Sequence, residues 1–194
     1  MKFIETLKNI WKIEDLRKRL LITVLFVAVY RFGSFVVLPG INPAQLQALR
    51  TSASSGLLGL LDMFSGGAFA NASIFALGIM PYISASIVMQ LLGIAVPYFQ
   101  KLQHEGESGY TKMNQYTRYL TVFILLLQGP AYIYGALRGA IPGGFFDWVL
   151  PSTIILAAGS MFVLWLGERI TDKGVGNGVS FIILIGIIAR LPHA

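Results

Sequence analysis

The stretch Ala72–Val96, ASIFALGIMPYISASIVMQLLGIAV, decides the class of this protein. It holds no Asp, Glu, Lys or Arg, and it exceeds the about 20 residues that a membrane-crossing helix needs. Gly78, Pro81 and Gly93 interrupt it. A proline inside a helix removes a backbone hydrogen bond, so a kink is expected at Pro81. The same composition extends over the rest of the chain. Of 194 residues, 55% are hydrophobic and 12% are charged, where soluble domains carry about 25% charge. The mean hydropathy is +0.69. Such a chain cannot supply the polar skin of a water-soluble globule. That excludes an ordinary soluble enzyme, a disordered tail and a disulfide-stapled secreted module. An all-α membrane protein is left. Roughly half the chain, at about 20 residues per span, makes about five spans.

Residues 1–19 are amphipathic. Phe3, Leu7, Ile10 and Trp11 recur at helical spacing among Lys2, Lys8, Lys12, Arg17, Lys18 and Arg19, the pattern of a helix lying in the membrane interface. Acidic residues are mixed in and no small-residue cleavage site follows, so the segment is not read as a cleaved signal peptide. The first span is expected over 20–38, with Arg31 close enough to its outer end to snorkel toward water. Pro39-Gly40 stops it, and 41–55 reads as a polar loop. Leu57–Phe64 is apolar but too short to cross. With Ser65-Gly66-Gly67 after it, 56–67 reads as a re-entrant half-helix, tolerated at depth only against protein or a water-filled cavity. Further spans are expected over 72–96, 116–137, 151–166 and 176–190. Their connectors are a polar segment over 97–115, a Gly/Pro-rich loop over 138–150 and a charged hairpin, Glu168–Lys173.

Basic residues orient the bundle. Eleven of the 15 Lys and Arg fall on the side of the N-terminus; Arg31, Arg50, Arg138 and Arg190 fall on the other. Cytoplasmic segments carry the excess, so the N-terminus is cytoplasmic. The net charge of +6 therefore needs no nucleic-acid partner.

Site chemistry is sparse. There is no cysteine and there are two histidines, His104 and His193. No thiolate metal site, cysteine nucleophile or four-ligand metal centre can be assembled. His104-Glu105 lacks the second histidine of a zinc-protease helix. Gly174-Val175-Gly176-Asn177-Gly178 lacks the third glycine and the preceding strand of a dinucleotide loop, and reads as a tight interfacial turn. No catalytic, cofactor-binding or metal residue is assigned. Arg31 and Asp62 are the charges nearest the membrane core, and neither has an evident ion-pair partner inside a span. A proton-coupled pump is disfavoured on that ground.

Three stretches carry a family resemblance. The first is Asp62-Met63-Phe64-Ser65-Gly66-Gly67-Ala68, running into Ser73-Ile74-Phe75-Ala76-Leu77-Gly78-Ile79-Met80-Pro81-Tyr82-Ile83-Ser84-Ala85-Ser86-Ile87. The second is His104-Glu105-Gly106-Glu107-Ser108-Gly109 with Asn114-Gln115-Tyr116-Thr117-Arg118-Tyr119. The third runs from Trp165-Leu166-Gly167-Glu168-Arg169 to Gly176-Asn177-Gly178. In this order they resemble bacterial SecY, the channel subunit of the Sec protein translocase. The resemblance covers essentially the whole chain. That family is about twice as long, with ten spans in two inverted five-helix halves, so the chain resembles the N-terminal half.

The resemblance implies a channel for unfolded polypeptide, outward or sideways into lipid, in the bacterial inner membrane. It implies no enzymatic activity and no cofactor. Its implied partners are the C-terminal half of the channel, the SecE and SecG subunits, SecA or the ribosome, the translocating chain and lipid. Leu57, Leu58, Leu60, Leu61, Asp62, Met63, Phe64, Ser65, Gly66 and Gly67 match the family's plug, with Asp62 facing an outer aqueous funnel. Ile79, Ile83 and Ile183 match its pore ring, where branched aliphatics exclude water and ions by dewetting. Ser84, Ile87 and Gln90 match one side of its lateral gate, with polar bonds across helices. Lys101, Lys112 and Arg118 are the implied cytoplasmic contacts for a partner. The residues alone leave other readings open: a fixed half-helix for 56–67, core packing for the isoleucines, helix–helix bonding for Ser84 and Gln90, and solvated loops for the lysines. At the level of the chain, a five-helix repeat of a secondary transporter and a purely structural membrane subunit also stay open.

Overall fold

The computed structural model describes residues 2–53, 55–137, 139 and 143–193. Met1, Ser54, Arg138, Ala140, Ile141, Pro142 and Ala194, which figure in the ranges and the charge count above, lie outside the described residues. The described residues form α-helices joined by turns: α1 Lys2–Lys12, α2 Glu14–Gly33, α3 Pro43–Ala53, α4 Gly56–Phe64, α5 Met80–Ala95, α6 Pro97–His104, α7 Glu107–Ala136, α8 Leu150–Lys173 and α9 Gly178–Arg190. A π-helical turn, Phe145–Val149, leads into α8, and a 3₁₀ turn, Leu191–His193, follows α9.

Several boundaries differ from those expected, each for a physical reason. The N-terminal segment does not run unbroken to residue 19. It breaks at Ile13, which is extended (ψ 111°). Glu14 and Asp15 then open α2 at the end of the helix that favours anions, and they pair one turn on with Lys18 and Arg19. The first span stops at Gly33 rather than 38. The segment beyond it pairs with the chain near Ser73: Leu38 N–H donates to Ala72 O at 2.9 Å, and Ile74 N–H to Val36 O at 3.0 Å.

Residues 43–53, expected as loop, are helical. Pro43 fits a first turn, which needs no N–H, and Asn42 Oδ1 accepts from Ala44 N–H. Leu49 and Ala53 then pack inward while Gln45, Gln47 and Arg50 stay in the open.

The stretch 72–96 is not one kinked helix. Residues 72–79 form turns, with Ala72 at φ 47°. Pro81 sits in the first turn of α5, where its missing N–H costs nothing. It opens a helix instead of bending one. At Val96 the chain turns by 100° from α5 into α6, so the expected polar connector 97–115 is two helical segments around a corner at Glu105-Gly106. The third span is longer than expected, beginning at Glu107. The fourth also runs on: Glu168–Lys173 is no hairpin but the end of α8.

Two helices are long and apolar enough to cross a membrane, Glu107–Ala136 and Phe145–Lys173, or three if the bent pair α5–α6 is one span. Helix length alone therefore does not reach five. α2 carries charges through its first two turns, and α9 has only 13 residues.

Two apolar cores hold the bundle together. One gathers Leu38, Leu49, Phe69, Tyr132, Ile133, Leu137, Val149 and Leu156, joining α3, α7 and α8. The other gathers Tyr30, Ala68, Phe75, Ile79, Val163, Leu166, Ile170 and Ile182, joining α2, α8 and α9. Close helix approaches rest on glycine. A Cβ on Gly178 would lie 1.8 Å from Gly167 O, so the start of α9 touches α8 backbone to backbone. Asn177 caps that start, its Oδ1 accepting from Val179 and Ser180 N–H at 3.1 and 3.3 Å.

Candidate functional site: an apolar ring capped by a short helix

Ile79 precedes α5 and Ile83 lies in its first turn; Ile83 N–H donates to Ile79 O at 3.1 Å, so the two share a face. Ile183 approaches them from α9. With Ile182, Leu77, Gly78 and Met80 they line a cavity of about 20 Å³, which Phe64 and Ser65 close from the end of α4. That volume is about one water. Ile79 is 5% exposed, while Ile83 and Ile183 are half-buried. The three isoleucines singled out from the sequence are thus brought to one place, beside the segment read as a plug.

α4 is inverted relative to an ordinary helix of a folded domain. Three of its four leucines point outward, Leu57 at 75%, Leu60 at 54% and Leu58 at 37% exposure, while Leu61 packs on the first core and its one charged residue, Asp62, is at 0%. Asp62 therefore does not face an aqueous funnel. Its Oδ1 accepts from Ala70 N–H at 2.8 Å, and Arg190 Nη2 of α9 lies 2.5 Å from Oδ2. This is a charge contact without hydrogen-bond alignment. Asp62 does have an ion-pair partner, contrary to the sequence reading. A buried carboxylate needs one, because desolvating a lone charge costs several kcal/mol, on the order of the whole stability of a domain.

The turn after α4 is held by three side chains, two from α2 and one from α7. Gly66 and Gly67 have φ of +66° and +90°, a region that side chains disfavour and glycine enters freely. Arg31 Nη1 of α2 donates to Gly66 O at 2.8 Å. Tyr30 Oη donates to Ser65 O at 3.1 Å, and Tyr132 Oη of α7 donates to Phe69 O at 2.8 Å. Arg31 also stacks its guanidinium over Phe35 at 5.3 Å. Of these partners, Tyr30, Tyr132 and Arg190 were not singled out from the sequence. Their only signal is a polar group at the end of an apolar run.

Ser84, Ile87 and Gln90, expected as one side of a gate, all lie on α5. Ser84 Oγ bonds within its own helix, to Met80 O at 3.1 Å, and not across helices. It lines an apolar cleft of about 450 Å³ with Leu58, Leu61, Met80, Gln128 and Tyr132. Gln90 is exposed and faces a second cleft, of about 240 Å³, with Tyr82, Gln103 and Tyr110. Ile87 is exposed.

Lys101 on α6 and Lys112 on α7 are exposed. Arg118 is committed to Glu168 of α8, Nη2 to Oε1 at 2.7 Å, and the pair lies in a polar cleft of about 370 Å³. No group of three or more His, Cys, Asp or Glu among the described residues could hold a metal ion.

With this geometry in view, a family model described as SecY matches residues 73–194. The chain belongs to the SecY family. It is 43% identical to the protein translocase subunit SecY of Streptomyces scabiei over 95% of this chain and 45% of that protein. It is 41% identical to the subunit of Aquifex aeolicus over 98% and 46%, and 46% identical to that of Pseudomonas aeruginosa over 94% and 41%. This SecY-family chain thus spans less than half the length of these relatives. The family resemblance read from the motifs holds, and the apolar helices fit a membrane-embedded member.

Proposed function

We infer that the chain forms the N-terminal half of a protein-conducting channel in the bacterial inner membrane, which passes unfolded polypeptides across it or releases helices into it. One observation carries this reading: Ile79, Ile83 and Ile183 meet at a water-sized gap stopped by the end of α4. A gap so small and so apolar blocks ions by dewetting, and, having few polar groups, it holds no passing chain. On this reading α2, α5, α7, α8 and α9 are the five spans, with the N-terminus cytoplasmic. Residues 56–67 are the plug. The second and third spans, α5 and α7, with Ser84, Ile87 and Gln90 on α5, form one side of the lateral gate and face the C-terminal half. Lys101 and Lys112 face SecA or the ribosome, and SecE and SecG complete the assembly. The reaction is transport and involves no bond chemistry; energy comes from the partners.

Photo-crosslinkers placed at Ile79, Ile83 and Ile183 in the complete channel test this. They are expected to capture a stalled secretory chain. Capture no greater than at Leu126, 49% exposed on α7, overturns the assignment.

A further inference from the structure

Helix α9 carries Ile183, Gly186 and Arg190 at spacings of three and four, hence on one face. Each meets a different part of the same machinery. Ile183 lines the ring cavity. Gly186 touches the end of α4 with no side chain between: a Cβ there would lie 2.9 Å from Phe64 O and 3.3 Å from Gly66 N. Arg190 neutralises the fully buried Asp62. At its other end α9 is fixed to α8 by the Gly167–Gly178 approach and by Gly178 N–H donating to Thr171 Oγ1 at 2.8 Å. A helix held at its start swings most at its far end, where Arg190 lies.

We propose that α9 is the lever that couples the ring to the plug, and that the Asp62–Arg190 pair is its latch. This deepens the channel reading and rests on it. Displacing α9 to widen the ring draws the guanidinium away from Asp62. The carboxylate, buried and stripped of its counter-charge, then no longer tolerates its site, and α4 leaves. The backbone contact at Gly186 makes the coupling stiff, because no flexible side chain is there to absorb a small shift. Arg31, holding Gly66 O from α2 by one hydrogen bond, steadies the turn without supplying that switch. Asp62 and Arg190 are positioning residues: they touch the plug and the lever, not the passing chain.

The test uses the complete channel containing this chain, in planar bilayers, with Asp62→Asn, Arg190→Gln, their combination, a deletion of Leu57–Phe64 and, as control, Arg17→Gln. Conductance is read in the idle channel and again with a stalled chain inside. Each latch variant is expected to raise idle conductance about tenfold, equivalent to about 1.4 kcal/mol. The double variant should leak no more than either single one, and conductance of the occupied channel should not change.

Latch variants that stay within about twofold of the parent, an estimate equivalent to under about 0.5 kcal/mol, overturn the latch alone if the deletion does leak. Equal rises in idle and occupied channels also overturn it, since they report general damage. If the deletion itself raises nothing, the plug reading fails and the latch with it.

Discussion

Tyr132 shows how much one hydroxyl holds here. Its ring meets Phe69 edge-on at 4.9 Å, and its Oη donates a buried hydrogen bond to the Phe69 carbonyl. Leaving a buried acceptor unpaired costs about 1–3 kcal/mol. Tyr132→Phe is therefore expected to lower stability by about 1–2 kcal/mol, read as an earlier thermal transition in detergent. An unchanged transition means that another donor serves that carbonyl.

At this scale the sequence was half legible. Arg31 and Asp62 stand out as misfits in apolar surroundings, and both do lie at the site. The partner of Asp62 was not legible, because Arg190 sits at a helix end where a basic residue is ordinary. Only the fold brings them together.

Among the elements, the long apolar runs gave α7 and α8 by composition alone, and Leu57–Phe64 gave α4. The misses share a cause. Tertiary contacts set the boundaries at α3 and α5: a leucine face packing under a polar loop turned 43–53 helical, and pairing with Val36 and Leu38 kept 72–79 out of a helix. Pro81 was read by its effect in a helix interior, whereas the chain uses it as a start. The ring isoleucines were placed by family motif rather than by periodicity, since any isoleucine in so apolar a chain has a core role open to it.

The start of α9 at Gly178 falls inside the stretch read as a tight interfacial turn. Its Asn177 cap satisfies two backbone donors, and Asn177→Ala is expected to cost about 1 kcal/mol. Thermal unfolding measures this, and a shift no larger than for an exposed Gln47→Ala control argues that the Gly167–Gly178 contact alone fixes the helix start.

For the molecule as a whole, charge and hydropathy predict an orientation but no shape. The basic excess predicts which side each connector faces, and the absence of cysteine makes the check clean. Single cysteines replacing Lys101 or Lys112 should react with an impermeant thiol reagent from the cytoplasmic side only, and one replacing Arg50 from the outer side only. Reversed labelling overturns the topology. What the whole sequence could not show is the inside-out character of α4, with Leu57, Leu58 and Leu60 displayed and its carboxylate hidden. That arrangement depends on neighbours spread from α2 to α9.

The same arrangement fixes an order of events during synthesis. Asp62 leaves the ribosome well before Arg190, and α5, α7 and α8 are made between them. Until α9 arrives, the Asp62 carboxylate lacks the guanidinium of Arg190, and only Tyr30 and Arg31 of α2 and Tyr132 of α7 hold the turn after α4. The half-helix is therefore among the first segments made and the last to be seated. A chain halted before Arg190 would leave that segment held by α2 and α7 but without its ion pair, its exposed Leu57, Leu58 and Leu60 within reach of membrane-bound proteases.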